Sequence, residues 1–290
     1  MPDPVVTMVV VSWNVRRSLR QCLRAAEASR GIRWQIIVVD NASTDGSVDL
    51  VRRQFPRVVL IANDINRGFA AAVNQALRRS RGDVLLLNPD LVLQPRTVAS
   101  MAAWFLRRPR VGIIGPQLIY PDGRLQPSVK RFPRWIDLFL LLSKVPNIVP
   151  RLSARYQATD FDYQRIQVVD QVMGSCFLIR RQTLDQVGLF DEQFWIWYEE
   201  VDFCRRAKAL GWETLYVADA VATHERGQSF RQVSVRRKQL LLRQSIGHYT
   251  RKHLGQLQFF GLWPAFAISW LSALVIDFFR WGKPMVASDF

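Results

Sequence analysis

Apolar and polar positions alternate in blocks along the first half of the chain, and the blocks change period. Val5 to Trp13 is almost wholly apolar and rich in β-branched residues, which predicts a buried strand. Leu19, Cys22, Leu23 and Ala26 then recur at helical spacing. Trp34 to Val39 predicts a second strand ending at Asp40, Val48 to Phe55 a short helix stopped by Pro56, and Val58 to Ala62 a third strand. Gly68 to Arg79 predicts an alanine-rich helix, and Val84 to Leu87 a fourth strand. Strands alternating with helices predict an α/β protein with a mostly parallel sheet covered on both faces.

The second half is less regular. Val111 to Tyr120 predicts a strand closed by a turn at Pro121 to Gly123, and Leu138 to Leu142 is a short apolar run. Pro146 to Arg165 has little periodicity and is expected to be a mobile excursion. Val168 to Ile179 reads as strand interrupted at Gly174 and Ser175. Tyr198 to Leu210 reads as a helix capped by Gly211, and Thr214 to Ala222 as a strand running out at His224.

Polar residues cluster where the first four strands end: Asn14, then Asp40, then Asn63 to Gly68, then Asn88 with Asp90. Ligands of open α/β sheets sit outside the carboxyl ends of the strands, so this edge is the candidate site. In "VVDNASTDGS", Ser43 to Asp45 suit an Asx-turn and a helix cap as well as they suit a ligand. Asp40, closing a buried strand, can accept from a base or ribose. Arg67 can meet phosphate, and Gly68 permits a sharp turn or a close backbone approach; a plain loop before a core helix is the competing reading. In "NPD", Asp90 can ligate a hard divalent cation, Asn88 can add a carbonyl oxygen or a ribose hydrogen bond, and Pro89 restrains both; a simple turn is the alternative. Glu199 and Glu200 suit a helix start electrostatically, but beside "FWIWY" they are also candidates for a desolvated general base. His224 just past a strand end is structural unless a metal lies nearby, in which case it is a ligand.

The 290 residues carry a formal net charge of +16, which favours a polyanionic partner. Cys22, Cys176 and Cys204 are far apart and have no zinc spacing, so neither a disulfide framework nor a zinc site is expected, in keeping with a reducing cytosol. The start lacks the features of a signal peptide. From Arg226 to Lys252 the cations Arg226, Arg231, Arg236, Arg237, Lys238, Arg243, Arg251 and Lys252 meet no acid, and Leu254 to Ile276 carries no charge. Pro264, Gln256 and Gln258 weaken a clean span, whereas Trp263, Trp270 and Trp281 suit an interfacial position, so an interfacial or re-entrant helix on anionic headgroups is expected. A helix pair packed on the catalytic domain is the alternative.

The ordered set "VSWN", "VVDNASTDGS", "NRGFAAAVN", "LLLNPD", "GSCFLIRR", "FDEQFWIWYEEVDFCRRAKALGW" and "THERGQS" resembles glycosyltransferase family 2, with its GT-A nucleotide-diphospho-sugar transferase fold, and within it the rhamnosyltransferase-like branch. The resemblance implies a mixed, mostly parallel sheet flanked by helices in a catalytic domain over 1–230, with 231–290 as a basic and apolar membrane-associating helical segment. It implies that Ser12, Asn14, Asp40 and Asn41 hold the nucleotide, that Asn88-Pro89-Asp90 stands at the acid-x-acid metal motif with Asp90 as the ligand, and that His224 completes the metal site. It also implies that Glu200 is the base, standing where Asp is common. The implied reaction is inverting transfer of a sugar, rhamnose favoured, from a nucleotide-sugar such as dTDP-rhamnose with Mg²⁺ or Mn²⁺. The implied acceptor is a lipid-linked glycan in cell-surface polysaccharide synthesis, at the cytoplasmic face of the plasma membrane. Transfer straight to a polyprenyl phosphate is a second reading within enzymes. Nucleic-acid binding, suggested by charge alone, is disfavoured because carboxylates at the sheet edge repel phosphate, so no nucleic-acid partner is expected.

Overall fold

A computed structural model describes residues 5–225 and 227–280, with the side chains of Ser229 and of 272–280 left aside. Arg226 and Trp281, expected on the cationic run and at the membrane interface, lie outside the described residues. The strands are β1 (Val5–Ser12), β2 (Arg33–Asn41), β3 (Val59–Asn63), β4 (Asp83–Leu87), β5 (Leu91–Leu93), β6 (Val111–Ile119), β7 (Leu125–Gln126), β8 (Val129–Lys130), β9 (Gln167–Val169), β10 (Gln171–Val172), β11 (Cys176–Ile179) and β12 (Glu213–His224). The helices are α1 (Arg16–Glu27), α2 (Ser47–Gln54), α3 (Phe69–Leu77), α4 (Thr97–Arg107), α5 (Trp135–Ser143), α6 (Arg181–Val187), α7 (Glu199–Ala209), α8 (Val235–His253), α9 (Gln256–Gly261) and α10 (Trp263–Arg280).

The main sheet has the order β3-β2-β1-β4-β11-β6-β12-β5, with β7 on β6 and β9 on β12. Strands β1, β2, β3 and β4 are mutually parallel, and β6 and β12 run the same way. Strand β11 enters antiparallel between β4 and β6, and β5, β7 and β9 also run counter to the long strands. The expected mostly parallel mixed sheet is therefore present. Alternate residues of each strand bury on opposite faces. Val6, Met8 and Val10 of β1 pack with Leu19, Cys22 and Leu23 of α1 and Met101 of α4, while Val9 packs with Val73 of α3 and Phe203 of α7.

Two expectations change. The segment 146–165 is not a loose excursion: Tyr156 and Ala158 are buried, and the Tyr163 hydroxyl accepts the backbone N–H groups of Ser128 and Val129. Its two short 3-10 turns bury no residue, and the burial at Tyr156 and Ala158 beyond them has no period of helix or strand. The apolar run at Leu138 is the core face of α5. It joins Phe194, Tyr198 and Val201 with Ile246 and Tyr249 of α8 in a third core, so α8 is packed on the helix that begins with the tandem acids. Among the described residues no helix is long and apolar enough to cross a membrane, and the uncharged stretch from Leu254 is broken at Leu262 into α9 and α10.

Candidate active site

Strands that run one way deliver their last residues to one edge, so Ser12, Asp40, Asn63, Asn88 and His224 share it. Ser12 pairs in register with Asp40 across β1 and β2. Both are buried; Asp40 Oδ1 accepts the Ser43 N–H at 2.8 Å, while Asp40 Oδ2 and Ser12 Oγ have no hydrogen-bond partner. Burial pushes the Asp40 carboxyl above its usual range, only partly offset by Ser43. Two unsatisfied polar atoms side by side on a buried strand edge are suited to a hydrogen-bonding ligand.

The neighbouring loop is tied by its own side chains. Asn14, at φ 51°, donates its backbone N–H to Ser43 Oγ, accepts Thr44 N–H on its carbonyl oxygen and donates its amide to Gln232. Asp45 accepts from Ser47 and from Arg16 N–H, joining the starts of α1 and α2. Ser43 to Asp45 thus follow the turn reading, while Gly46 stands at the N-cap of α2. Asn41 is also committed: its amide donates to Gly68 O at 3.0 Å and its carbonyl accepts from Asn63 at 2.9 Å, so it sets the next loop's position. Gly68 has φ +83°, and a Cβ there would lie 2.7 Å from the backbone oxygen of Trp195, so only glycine fits. Arg67 beside it is exposed.

The "NPD" turn is placed by topology. Strand β5 leaves β4 and pairs antiparallel with the far side of β12, Leu91 opposite His224, which carries Asp90 to the end of β12. Asp90 Oδ1 stands 3.3 Å from His224 Nε2; both atoms are buried, and neither makes a hydrogen bond. On its other side His224 Nδ1–H donates to Gln126 Oε1 at 2.7 Å, which turns the Nε2 edge of the ring toward Asp90. The Gln228 N–H reaches Asp90 Oδ2 at 3.3 Å. Burial works to raise the Asp90 carboxyl, but His224 and that amide outweigh it and hold it below its usual range. A carboxylate oxygen and an imidazole nitrogen turned to the same point without bonding each other fit a Mg²⁺- or Mn²⁺-like ion. Among the described residues no group of three or more His, Cys, Asp or Glu gathers to hold a metal ion.

Glu199 and Glu200 open α7. The residues before them, Trp197 and Tyr198, hold positive φ of 63° and 71°, a strained conformation for bulky side chains that aims the helix start. Burial and the adjacent Glu200 push Glu199 well up; burial also raises Glu200, opposed by helix-start amides and Lys130. The pair therefore titrates above the usual carboxylate range. Glu199 Oε2 and Glu200 Oε2 are both without hydrogen bonds. Gly174 lies against Glu200: a Cβ there would be 3.2 Å from Glu200 Cβ. Ser175 O next to it accepts the Asn88 N–H at 2.8 Å, so one β-turn segment links the "NPD" turn to the tandem acids.

Sequence reasoning missed Gln126, which orients His224, and the packing role of Gly174. Nothing in "GRLQPS" marks Gln126, because its partner lies 98 residues away. Gly174 interrupts a strand pattern, which is itself a signal of close approach.

The profile of the family described as "Glycosyl transferase family 2" matches residues 7–188. The N-acetylglucosaminyl-diphospho-decaprenol L-rhamnosyltransferase of Mycobacterium tuberculosis is 27% identical over 243 residues, covering 78% of this chain and 77% of its own. The low-salt glycan biosynthesis hexosyltransferase Agl10 of Haloferax volcanii is 26% identical, over 60% of this chain and 53% of its own. Among solved structures, the mannosyltransferase PcManGT from Pyrobaculum calidifontis in complex with GDP-Man and Mn²⁺ superposes with a TM-score of 0.59 at 20% identity, covering 99% of this chain and 79% of that one. S. aureus TarS 1–349 with UDP-GlcNAc superposes at 0.55 and 16% identity, covering 97% and 74%. At these identities the two structures speak for the fold.

Proposed function

Since the chain belongs to glycosyltransferase family 2 and is thus a glycosyltransferase, we propose that it is an inverting, divalent-metal-dependent enzyme. It transfers a sugar, rhamnose favoured, from a nucleotide-diphosphate donor such as dTDP-rhamnose to a hydroxyl of a lipid-linked glycan. The observation that carries this reading is the pair Asp90 Oδ1 and His224 Nε2, buried at 3.3 Å and each unsatisfied, at the edge that also holds Asp40 and Ser12. The rhamnose and lipid-linked acceptor are supported by the name of the mycobacterial relative.

In this reading Ser12 and Asp40 bind the nucleoside through their unsatisfied oxygens, while Asn14 and Asn41 brace the loops around it. Arg67, Gly68 and Asn88 line the way to the diphosphate. Asp90 and His224 would hold a divalent cation, which would supply positive charge where the leaving diphosphate gathers negative charge. Glu200 accepts the proton of the attacking hydroxyl; its raised affinity for protons makes it a stronger base than an ordinary carboxylate. Glu199 beside it is pushed up in turn by burial and by the like charge of Glu200. One displacement at the anomeric carbon then inverts its configuration. The enzyme works at the cytoplasmic face of the plasma membrane, where the exposed Leu257, Phe260, Trp263, Trp270 and Leu271 of α9 and α10 lie at the interface.

The test is a panel of nucleotide sugars offered with and without Mn²⁺ to wild type, Asp90→Ala and Glu200→Gln. Transfer from one donor, lost without metal and lower by at least roughly 100-fold in both variants, is expected. Full turnover in either variant refutes the assignment.

A further inference from the structure

On the side of α7 away from its tandem acids, an open cleft of about 530 Å³ lies between α7, the start of α5 and α9. Its walls carry four cations, Arg134, Arg155, Arg205 and Lys208, with the rings of Phe132 and Trp135. Two carboxylates answer them. Asp137 is buried between Arg134 at 3.3 Å and Arg155 at 2.9 Å, and Asp170 takes Lys208 at 2.8 Å. Four cations against two carboxylates leave two positive charges. Arg205 is the distinctive one. It donates to the neutral Tyr249 hydroxyl at 2.8 Å and lies over the rings of Phe132 and Tyr249; among the described residues no carboxylate pairs with it. A guanidinium held by two rings, one of them also through its hydroxyl, is pre-set to receive a planar fork of anionic oxygens.

The cleft is continuous with the apolar end of the chain. Trp135 Nε1 donates to Gln258 O at 2.8 Å, and Gly261 abuts the same indole, so α9 forms one lip. On that helix and the next, Leu257 is 83% exposed, Phe260 58% and Trp263 62%. Large apolar side chains left in solvent beside a cationic cleft match an amphiphile whose charged part is an anion and whose remainder is hydrocarbon.

We propose that this cleft holds the phosphate of an anionic lipid, with Arg205 and Lys208 on the phosphate and α9 among the lipid chains. The inference rests on the membrane-bound part of the reading above and is independent of sugar transfer. The test is co-sedimentation of the full chain with vesicles of phosphatidylcholine alone or mixed with phosphatidylglycerol, comparing wild type with R205Q/K208Q and with the charge-matched pair R107Q/R108Q at the C-terminal end of α4. The expected result is binding that rises with phosphatidylglycerol and weakens roughly 30-fold in R205Q/K208Q, at roughly fivefold per cation, but little in the α4 pair. Equal losses in both variants mean diffuse charge attraction and overturn the cleft. No vesicle binding by wild type overturns the membrane reading along with it. Thermal stabilisation of wild type by inorganic phosphate, without any dependence of sedimentation on phosphatidylglycerol, assigns the cleft to a soluble phosphate and overturns the lipid.

Discussion

Asp202 is a buried carboxylate with three cationic partners, and replacing it with asparagine tests how α7 is held. Its side chain is fully buried and receives Arg206 Nε at 2.8 Å, His253 Nε2 at 2.7 Å and Lys252 Nζ at 2.8 Å. Asparagine keeps the shape and one acceptor but removes the charge. Removing one side of a buried ion pair costs about 3–5 kcal/mol. Here the partners have other recourse. Arg206 keeps the carbonyls of Val187 at 2.7 Å and Leu189 at 3.0 Å, and Lys252 keeps Asp191 at 2.7 Å. The loss at neutral pH is therefore expected at the low end, about 3 kcal/mol, which lowers the melting temperature by roughly 6–12 °C. Urea unfolding followed by tryptophan fluorescence measures it. The pH dependence has a definite sign. Burial alone would raise this carboxyl, but His253, Lys252 and Arg206 hold it far below its usual 3.8, so the folded state binds fewer protons than the unfolded one. The stabilisation is complete above the unfolded value and is lost as pH falls toward the folded one, so wild type and variant converge in acid. As a control, D122N at an exposed pair with Arg124 leaves the midpoint unchanged. A D202N midpoint within about 1 kcal/mol of wild type at pH 7 refutes the network as the clamp between α7 and α8.

Replacing Gln126 with leucine removes the acceptor of His224 Nδ1–H while filling the same buried space, and Mn²⁺ affinity is expected to fall roughly 10- to 100-fold, read by Mn²⁺ titration of transfer with the preferred donor; unchanged affinity removes Gln126 from the site. Replacing Gly174 with alanine puts a methyl 3.2 Å from Glu200 Cβ and 3.3 Å from Cγ, so kcat is expected to drop roughly tenfold with an unchanged unfolding midpoint. The base must be unprotonated to act, and Glu199 and Glu200 are both raised from the usual 4.5, so kcat is expected to fall in acid with a midpoint above that value and to lose this limb in Glu200→Gln.

The local pattern of the chain was enough to locate the strand edge. Val5 to Trp13, Leu19 to Ala26 and Val84 to Leu87 matched β1, the buried stripe of α1 and β4 because period and β-branching act within a few residues. The polar strand ends followed from the same logic: once consecutive strands are parallel, their last residues must share an edge. Asp40, Asp90, His224 and the tandem acids were therefore legible as candidates. Asn41 and Asn14 were legible as polar residues, but not as the braces they form with Gly68, Gln232 and Ser43.

What pairs with what was decided by tertiary structure alone. The crossing of β5 to the far side of β12 brings Asp90 to His224, and the β6–β7 hairpin brings Gln126 behind that histidine. The antiparallel entry of β11 sets Gly174 and Ser175 between the "NPD" turn and Glu200. The placing of α8 against α7 assembles the Asp202 network and, with α5 and α9, the cationic cleft. Each of these joins residues distant along the chain, and such contacts arise from the packing of whole elements, which leaves no mark in the local alternation of apolar and polar positions.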